Sequence, residues 1–301
     1  MRLIGKNLDH ALNIAHRGAR AFAPENTLAA FEKAKVFGCP MFEIDVHQSK
    51  DGELVVHHDD QLTRCTDVKS KFPGRSSYFI ADFTCDELLS LDAGSWYVEQ
   101  LSFAPKQRQP FLQTLTDQEI EQFVGAEDLT LYGSGEISIP TLKQTLELAK
   151  KLDLMVNIEL KTLPRMYPGI AEAVLELIDD LAMEQQVLIS SFDHLQLQIV
   201  RQRNQGIATA VLTGDRLANA GNYLTCLDAD AYHPSCDSLG FSSVSGLLDA
   251  ETISSLRQAG FGVNVWTCND KADMKRLRAL GVSGLISDYP NRVREVLVNP
   301  T

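Results

Sequence analysis

From residue 140 onward the chain alternates between two hydrophobic rhythms. Continuous apolar runs such as MVNIEL, VLIS and IATAVL alternate with stretches in which apolar residues recur every three or four positions. Unbroken apolar runs read as strands buried on both faces, and the longer period reads as helices with one apolar stripe. The pattern predicts strands over Leu154–Leu160, Val187–Phe192, Ile207–Leu212, Ala229–His233, Gly262–Thr267 and Gly284–Ser287. It predicts helices over Thr141–Lys151, Gly169–Ala182, His194–Arg203, Arg216–Leu224 (the weakest), Ala250–Ala259, Lys271–Leu280 and Asn291–Leu297. The N-terminal end repeats the alternation. A strand ends in His16-Arg17-Gly18, a helix spans Thr27–Phe37 with Asn26 as its cap and Gly38 as its stop, and Met41–Val46 is a second strand. Asp51-Gly52 is a hairpin signal, so Leu54–His57 should run antiparallel to that second strand.

Counted together, these make eight strand-then-helix units, which argues for an α/β fold with a parallel sheet closed as a (β/α)₈ TIM barrel. At 301 residues the chain fits one such domain, 1–301. Residues from about 59 to 139 break the rhythm. One helical patch, Thr84–Leu91, stands among scattered glycines and a glutamine-rich stretch, and this span reads as an insertion, part subdomain and part long loop.

A barrel of this kind carries its active site at the C-terminal ends of its strands. Polar residues gather there: His16-Arg17, Glu43 and Asp45, Glu159 and Lys161, Ser190-Ser191, His233, Trp266-Thr267, Ser287-Asp288. Glu43 and Asp45 point to one face, ~6.6 Å apart along the strand. Glu159 can join them. Three crowded carboxylates repel and call for a cation, and oxygen-only ligands favour Mg²⁺ or Ca²⁺; otherwise they are solvated acids or partners of Arg17 and Lys161. His16 and His58 are candidates for general acid and base, with His57 as rival to His58, because adjacent strand residues face opposite ways. His47 shares the parity of the carboxylates and reads as rim. Arg17 and Lys161 supply fixed positive charge suited to a phosphoryl group. Trp266 would pack on substrate, Trp96 reads as a lid residue or an anchor for the insertion, and Ser191, His233 and Asp288 are further pocket candidates.

Forty acids against 28 Lys and Arg give a net charge of −12, which opposes nucleic acid or an anionic membrane as the main partner. A small-molecule substrate in a local basic pocket fits better. No apolar run approaches ~18 residues, so no transmembrane segment is expected. The N-terminus lacks the apolar core of a signal peptide. Cys39, Cys65, Cys85, Cys226, Cys236 and Cys268 show no metal spacing and read as reduced thiols, so the expected location is cytoplasmic. Oligomeric state is not encoded in any pattern found.

The runs HRG-x₅-PENT-x₂-AF-x₂-A and EIDVHQSKDGELVV-x-HDD-x-L-x-R, with LDAGSW (91–96), IPTL (139–142), NIELK (157–161), VWTCND (265–270) and ISDYP (286–290), resemble the glycerophosphodiester phosphodiesterase family. The likeness covers nearly the whole chain except about 98–138. Cys65 and Ser49 depart from the family pattern at positions not expected to carry chemistry. The resemblance implies a TIM barrel that hydrolyses glycerophosphodiesters to glycerol 3-phosphate and an alcohol. It places catalytic histidines at His16 and His58, metal carboxylates at Glu43, Asp45 and Glu159, phosphate-binding groups at Arg17 and Lys161, and a pocket tryptophan at Trp266. Glu25 of PENT falls close to the site. The implied mechanism uses the glycerol 2-hydroxyl as nucleophile, one histidine as base and the other as acid. Two alternatives share parts of this pattern. One is a lysophospholipase D-type enzyme whose apolar channel would use Phe103, Phe111 and Phe123 of an insertion lying over the mouth. The other is a non-catalytic phosphate-binding barrel.

Overall fold

The computed structural model describes residues 11–162, 166–237, 239 and 249–298. Its nine strands are β1 (Leu12–Ala15), β2 (Met41–Gln48), β3 (Leu54–Val56), β4 (Met155–Leu160), β5 (Val187–Ser191), β6 (Ala208–Thr213), β7 (Ala231–Pro234), β8 (Gly262–Val265) and β9 (Gly284–Ser287). Eight of them form a closed parallel barrel. The order runs β1-β9-β8-β7-β6-β5-β4-β2, and β1 pairs back onto β2. β3 is antiparallel to β2 and lies outside the barrel repeat, joined through the Asp51-Gly52 turn, where Gly52 has φ +92°. This is the TIM barrel that the alternation predicts.

The barrel interior is filled by Ile14, Met41, Leu188, Ala208, Ala210, Ala231 and Ile286. A second and larger apolar layer lies between the strands and the helices around them. Burial on both faces is why β5 and β6 carry apolar residues at consecutive positions, whereas β4 interrupts its apolar residues with Asn157 and Glu159.

The first helix, α1 (Leu28–Val36), is capped by Thr27, whose side chain accepts from the Ala30 amide. The expected cap, Asn26, does something else. It turns the chain at φ +55° and donates its Nδ2 to Asp45 Oδ2 at 2.8 Å. The cap sits one residue later because Asn26 is drawn to a carboxylate of the barrel mouth. Gly18 also earns its place: at φ +79°, a Cβ there would sit 2.7 Å from the Ala30 backbone. The β1–α1 loop can therefore lie flat on α1, which fixes the direction of Arg17.

The span from residue 59 to 139 is more helical than the sequence suggests. It holds α2 (Val68–Lys71), α3 (Cys85–Leu89), α4 (Ser95–Ser102), α5 (Asp117–Phe123) and α6 (Ala126–Tyr132). Only α3 was foreseen. The others have four to eight residues, too few to show a helical period. Their signal was local: Thr116 and Glu119 form a capping box. Part of this segment has its own apolar cluster around Leu62, Ile80, Phe83 and Leu88. The rest docks on the barrel, where Tyr97 donates to the Ala21 carbonyl.

The remaining helices follow the barrel rhythm: α7 (Leu142–Leu152), α8 (Ile170–Asp180), α9 (His194–Arg203), α10 (Ala220–Cys226), α11 (Ala250–Gln258), α12 (Lys271–Ala279) and α13 (Pro290–Val298). Among the described residues no helix is long and apolar enough to cross a membrane.

Candidate active site

At the C-terminal ends of the strands lies a cavity lined by His16, Arg17, Glu43, His58, Asn157, Glu159, Lys161, Phe192, Leu212, Trp266, Thr267 and Ile286. Asp45 lies just beneath, fully buried. Strand register explains the carboxylates. Asp45 pairs directly with Glu159 across β2 and β4, and Glu43 is two residues back on the same face. Oxygens of the three carboxylates lie within 4.8 Å of one another.

That proximity perturbs all three. Burial, then Asp45 and Glu159, push the Glu43 carboxyl well above the usual range. Burial also raises Glu159, against the opposing pull of Lys161. For Asp45 burial is outweighed by Lys161, His58 and Arg17, which hold it ionised. Asp45 Oδ1 has no hydrogen-bond partner, although Lys161 Nζ stands 3.3 Å away. An all-oxygen donor set with a protonation it would shed on binding charge fits one hard divalent cation.

Two imidazoles flank this cluster. His16 Nδ1 lies 2.6 Å from Asp288 Oδ1, and its Nε2 stands 3.9 Å from Glu43 Oε2. His58 Nδ1 lies 2.6 Å from Asp59 Oδ1. Burial pushes both below the ordinary histidine value, His58 to about 4. Of the two neighbours His57 and His58, His58 lines the cavity, and His57 is buried away from it with Nε2 unpartnered.

Arg17 is a non-glycine residue at φ +53°. Its amide donates to Glu43 Oε2 at 2.9 Å and its Nη1 to Glu25 Oε1 at 2.9 Å, while Nε, buried and without a hydrogen bond, stands 3.4 Å from Asp45 Oδ2. Lys161 Nζ donates to Glu159 Oε1 at 2.8 Å. Trp266 donates its indole N–H to the His233 carbonyl and meets Phe192 edge-on at 5.5 Å, so the pair walls one side of the cavity. Phe192 was not foreseen; it follows the Ser190-Ser191 strand end, which was the available signal.

Several expected pocket residues sit elsewhere. Ser191 is wholly buried and donates to the Leu160 carbonyl, which shapes the strand end without reaching the cavity. His233 is buried beneath the site against Asn264. Asp288 acts on His16 and does not line the cavity. Glu25 is enclosed by arginines. His47 is not rim: it is 1% exposed, with Nε2 3.1 Å from the His58 carbonyl and Nδ1 3.1 Å from the Tyr167 hydroxyl. The chain folds over it after β2, which parity alone does not reveal.

The insertion does not supply an apolar channel either. Phe111 packs under Arg20, Phe123 packs against Phe22 and Phe37, and no residue from 59 to 139 lines the cavity. Trp96 anchors the segment, donating to the Ala93 carbonyl and meeting Tyr97 edge-on.

Comparison with known proteins is consistent along the whole chain. A glycerophosphodiester phosphodiesterase of Caldanaerobacter subterraneus subsp. tengcongensis is 32% identical over 288 residues, covering 96% of each chain. One from Bacillus altitudinis is 31% identical over 283 residues, 94% of this chain and 96% of the other. Among solved structures, an Oleispira antarctica phosphodiesterase in complex with the product sn-glycerol-3-phosphate is 26% identical, with a TM-score of 0.71, and the match covers 95% of this chain and 96% of that one. The glycerophosphoryl diester phosphodiesterase family model matches residues 16–292, so the chain belongs to that family.

Proposed function

We propose that this protein hydrolyses glycerophosphodiesters to sn-glycerol 3-phosphate and an alcohol. The observation that carries this reading is the pairing of two cavity-facing histidines, each tied through Nδ1 to an aspartate, around three buried carboxylates. The product-bound Oleispira antarctica relative supports the substrate class.

Glu43, Asp45 and Glu159 would hold one divalent cation, Mg²⁺ or Ca²⁺, which when bound would neutralise phosphate charge and lower the pKa of a nearby hydroxyl. Arg17 and Lys161, both of which line the cavity, meet phosphate oxygens and stabilise the charge that develops on them. One histidine takes the proton of the glycerol 2-hydroxyl as that oxygen attacks phosphorus. The other gives its proton to the departing alcohol oxygen. The cyclic phosphate is then opened by water with the two roles exchanged, which returns both imidazoles to their starting state. Trp266 and Phe192 pack on the apolar edge of the substrate. Free thiols at all six cysteines support a reducing, cytoplasmic setting.

The test is glycerol 3-phosphate release from glycerophosphocholine and glycerophosphoethanolamine, with Mg²⁺, Ca²⁺ or chelator, for the wild type and His16→Ala. Release that needs metal and vanishes in the variant is the expected result. Folded wild type that releases nothing from either diester, yet cleaves lysophosphatidylcholine, would move the reading to lysophospholipids. Inactivity on all three would leave a phosphate-binding barrel.

A further inference from the structure

Glu25 has every acceptor site in use. Its Oε1 accepts from Arg17 Nη1 at 2.9 Å and Arg64 Nη2 at 2.7 Å, and its Oε2 accepts from Arg20 Nε at 2.8 Å and Arg64 Nη1 at 3.0 Å. With four hydrogen bonds and a side chain 2% exposed, it has nothing left to offer a substrate or a cation.

Arg64 is equally full. A guanidinium has five N–H donors, and all five are engaged here. Nε and Nη2 fork onto Asp59 at 2.6 and 3.0 Å, Nη1 and Nη2 fork onto Glu25, and Nη1 also reaches Gln109 Oε1 at 3.1 Å. At the other end Arg20 Nη1 stands 3.4 Å from Asp288 Oδ1. An unbroken run of ion pairs therefore passes behind the cavity: Asp59–Arg64–Glu25–Arg20–Asp288. Each end is an aspartate whose Oδ1, the oxygen the arginine reaches, also meets the Nδ1 of a histidine. With Arg17, three arginines balance three carboxylates.

We propose that Glu25 and Arg64 are positioning residues that join the two histidine-bound aspartates into one bridge, holding both imidazoles with the proton on Nδ1 and Nε2 turned to the cavity. This rests on the reading of His16 and His58 as the acid–base pair. A histidine used alternately as base and acid must keep one ring orientation in both states; Asp59, forked by Arg64, and Asp288, held by Arg20 and by Asn269 Nδ2 at 2.7 Å, are kept from swinging away when the imidazole changes charge. The insertion finds a purpose in this bridge. Gln109 closes on Arg64, and the Phe111 ring lies 3.7 Å from the Arg20 guanidinium carbon, so residues from this segment pack against the outer side of the ion pairs.

The experiment uses full-length protein labelled with ¹⁵N at histidine, saturated with Mg²⁺. Long-range ¹H–¹⁵N correlation reports which ring nitrogen carries the proton, with peaks assigned through His16→Gln and His58→Gln. Wild type is compared with Arg64→Gln and Arg64→Lys, and kcat and KM are measured for glycerophosphocholine. The expected result for Arg64→Gln is loss of the fixed Nδ1–H form at His58, a kcat lower by about 10- to 100-fold, and a KM within about threefold of wild type. Arg64→Lys keeps the charge without the double fork, so it should show the same changes in smaller measure and serves if Arg64→Gln does not fold. An unchanged His58 tautomer, or a raised KM at constant kcat, would overturn the proposal. If wild type fails to cleave any diester while the tautomer shifts as expected, the bridge stands and the functional reading falls.

Discussion

The carboxylate of Asp288 and the Nδ1 of His16 lie 2.6 Å apart although 272 residues separate them in the chain. Arg20 and His16 itself hold Asp288 ionised against the effect of burial, so the shared proton belongs to the imidazole and Nε2 is the free base. Asp288→Asn offers an amide in place of the acceptor and can reverse the tautomer. The expected loss in kcat is roughly 10²- to 10⁴-fold with little change in KM, as when a histidine loses its Nδ1 carboxylate elsewhere. Steady-state kinetics with saturating Mg²⁺ measure it.

The carboxylate cluster trades stability for function. Glu43 is buried beside Asp45 and Glu159, so Glu43→Gln relieves repulsion in the metal-free protein while removing a ligand. Calorimetry in chelator should show an unchanged or higher Tm, by a few °C if about 1 kcal/mol is gained. The rise in Tm that Mg²⁺ or Ca²⁺ gives the wild type should disappear, and activity with it. A lower Tm in chelator would contradict this.

His233 sets part of the acid limb of stability. It is fully buried, and burial alone lowers its pKa from 6.5 to about 3. As pH falls below 6.5 the unfolded chain takes up a proton that the folded state refuses, so stability drops through the window from 6.5 to about 3, by on the order of 5 kcal/mol at most. His233→Gln keeps an acceptor for Asn264 and removes the titration. Its Tm should fall less steeply between pH 6.5 and 4 than that of the wild type, read with metal present.

Phe192 is 41% exposed and meets Trp266 edge-on at the cavity wall. An aromatic pair of this geometry contributes about 0.5–1.5 kcal/mol beyond its buried area. Phe192→Ala should raise KM for glycerophosphocholine by roughly 2- to 10-fold and leave kcat close to wild type. An equal loss in kcat would mean that the ring also aligns the reacting groups.

The barrel was legible because its signals are periodic and its chemistry clusters where strands end. Glu43, Asp45, Glu159 and Lys161 could be read together because parity and register leave them few other arrangements. What escaped is what depends on distant parts of the chain. Asp288 looked no different from other strand-end residues, and nothing local tells that its carboxylate reaches His16. Asp59 and Arg64 stood inside a recognised run with no role, because an ion pair shared among Arg17, Arg20, Glu25 and Arg64 is visible only once three loops are brought together. Asn26 was misread as a helix cap because Asp45, its actual partner, lies on another element. The short helices of the insertion were missed for want of length.

Because the inserted segment backs the ion-pair bridge through Gln109 and Phe111 and leaves the cavity wall to the barrel, the chain keeps two separate regions open to change. Residues around Phe192 and Trp266 can be exchanged to suit a different alcohol without disturbing the packing at Gln109 and Phe111. Changes to the insertion belong at its exposed turns, away from Asp59, Arg64, Gln109 and Phe111 and from the docking of Tyr97 on the Ala21 carbonyl. On the proposed function, the apolar cavity wall and the supports of the two histidines thus lie in different stretches of sequence, and laboratory evolution can select on one while holding the other constant.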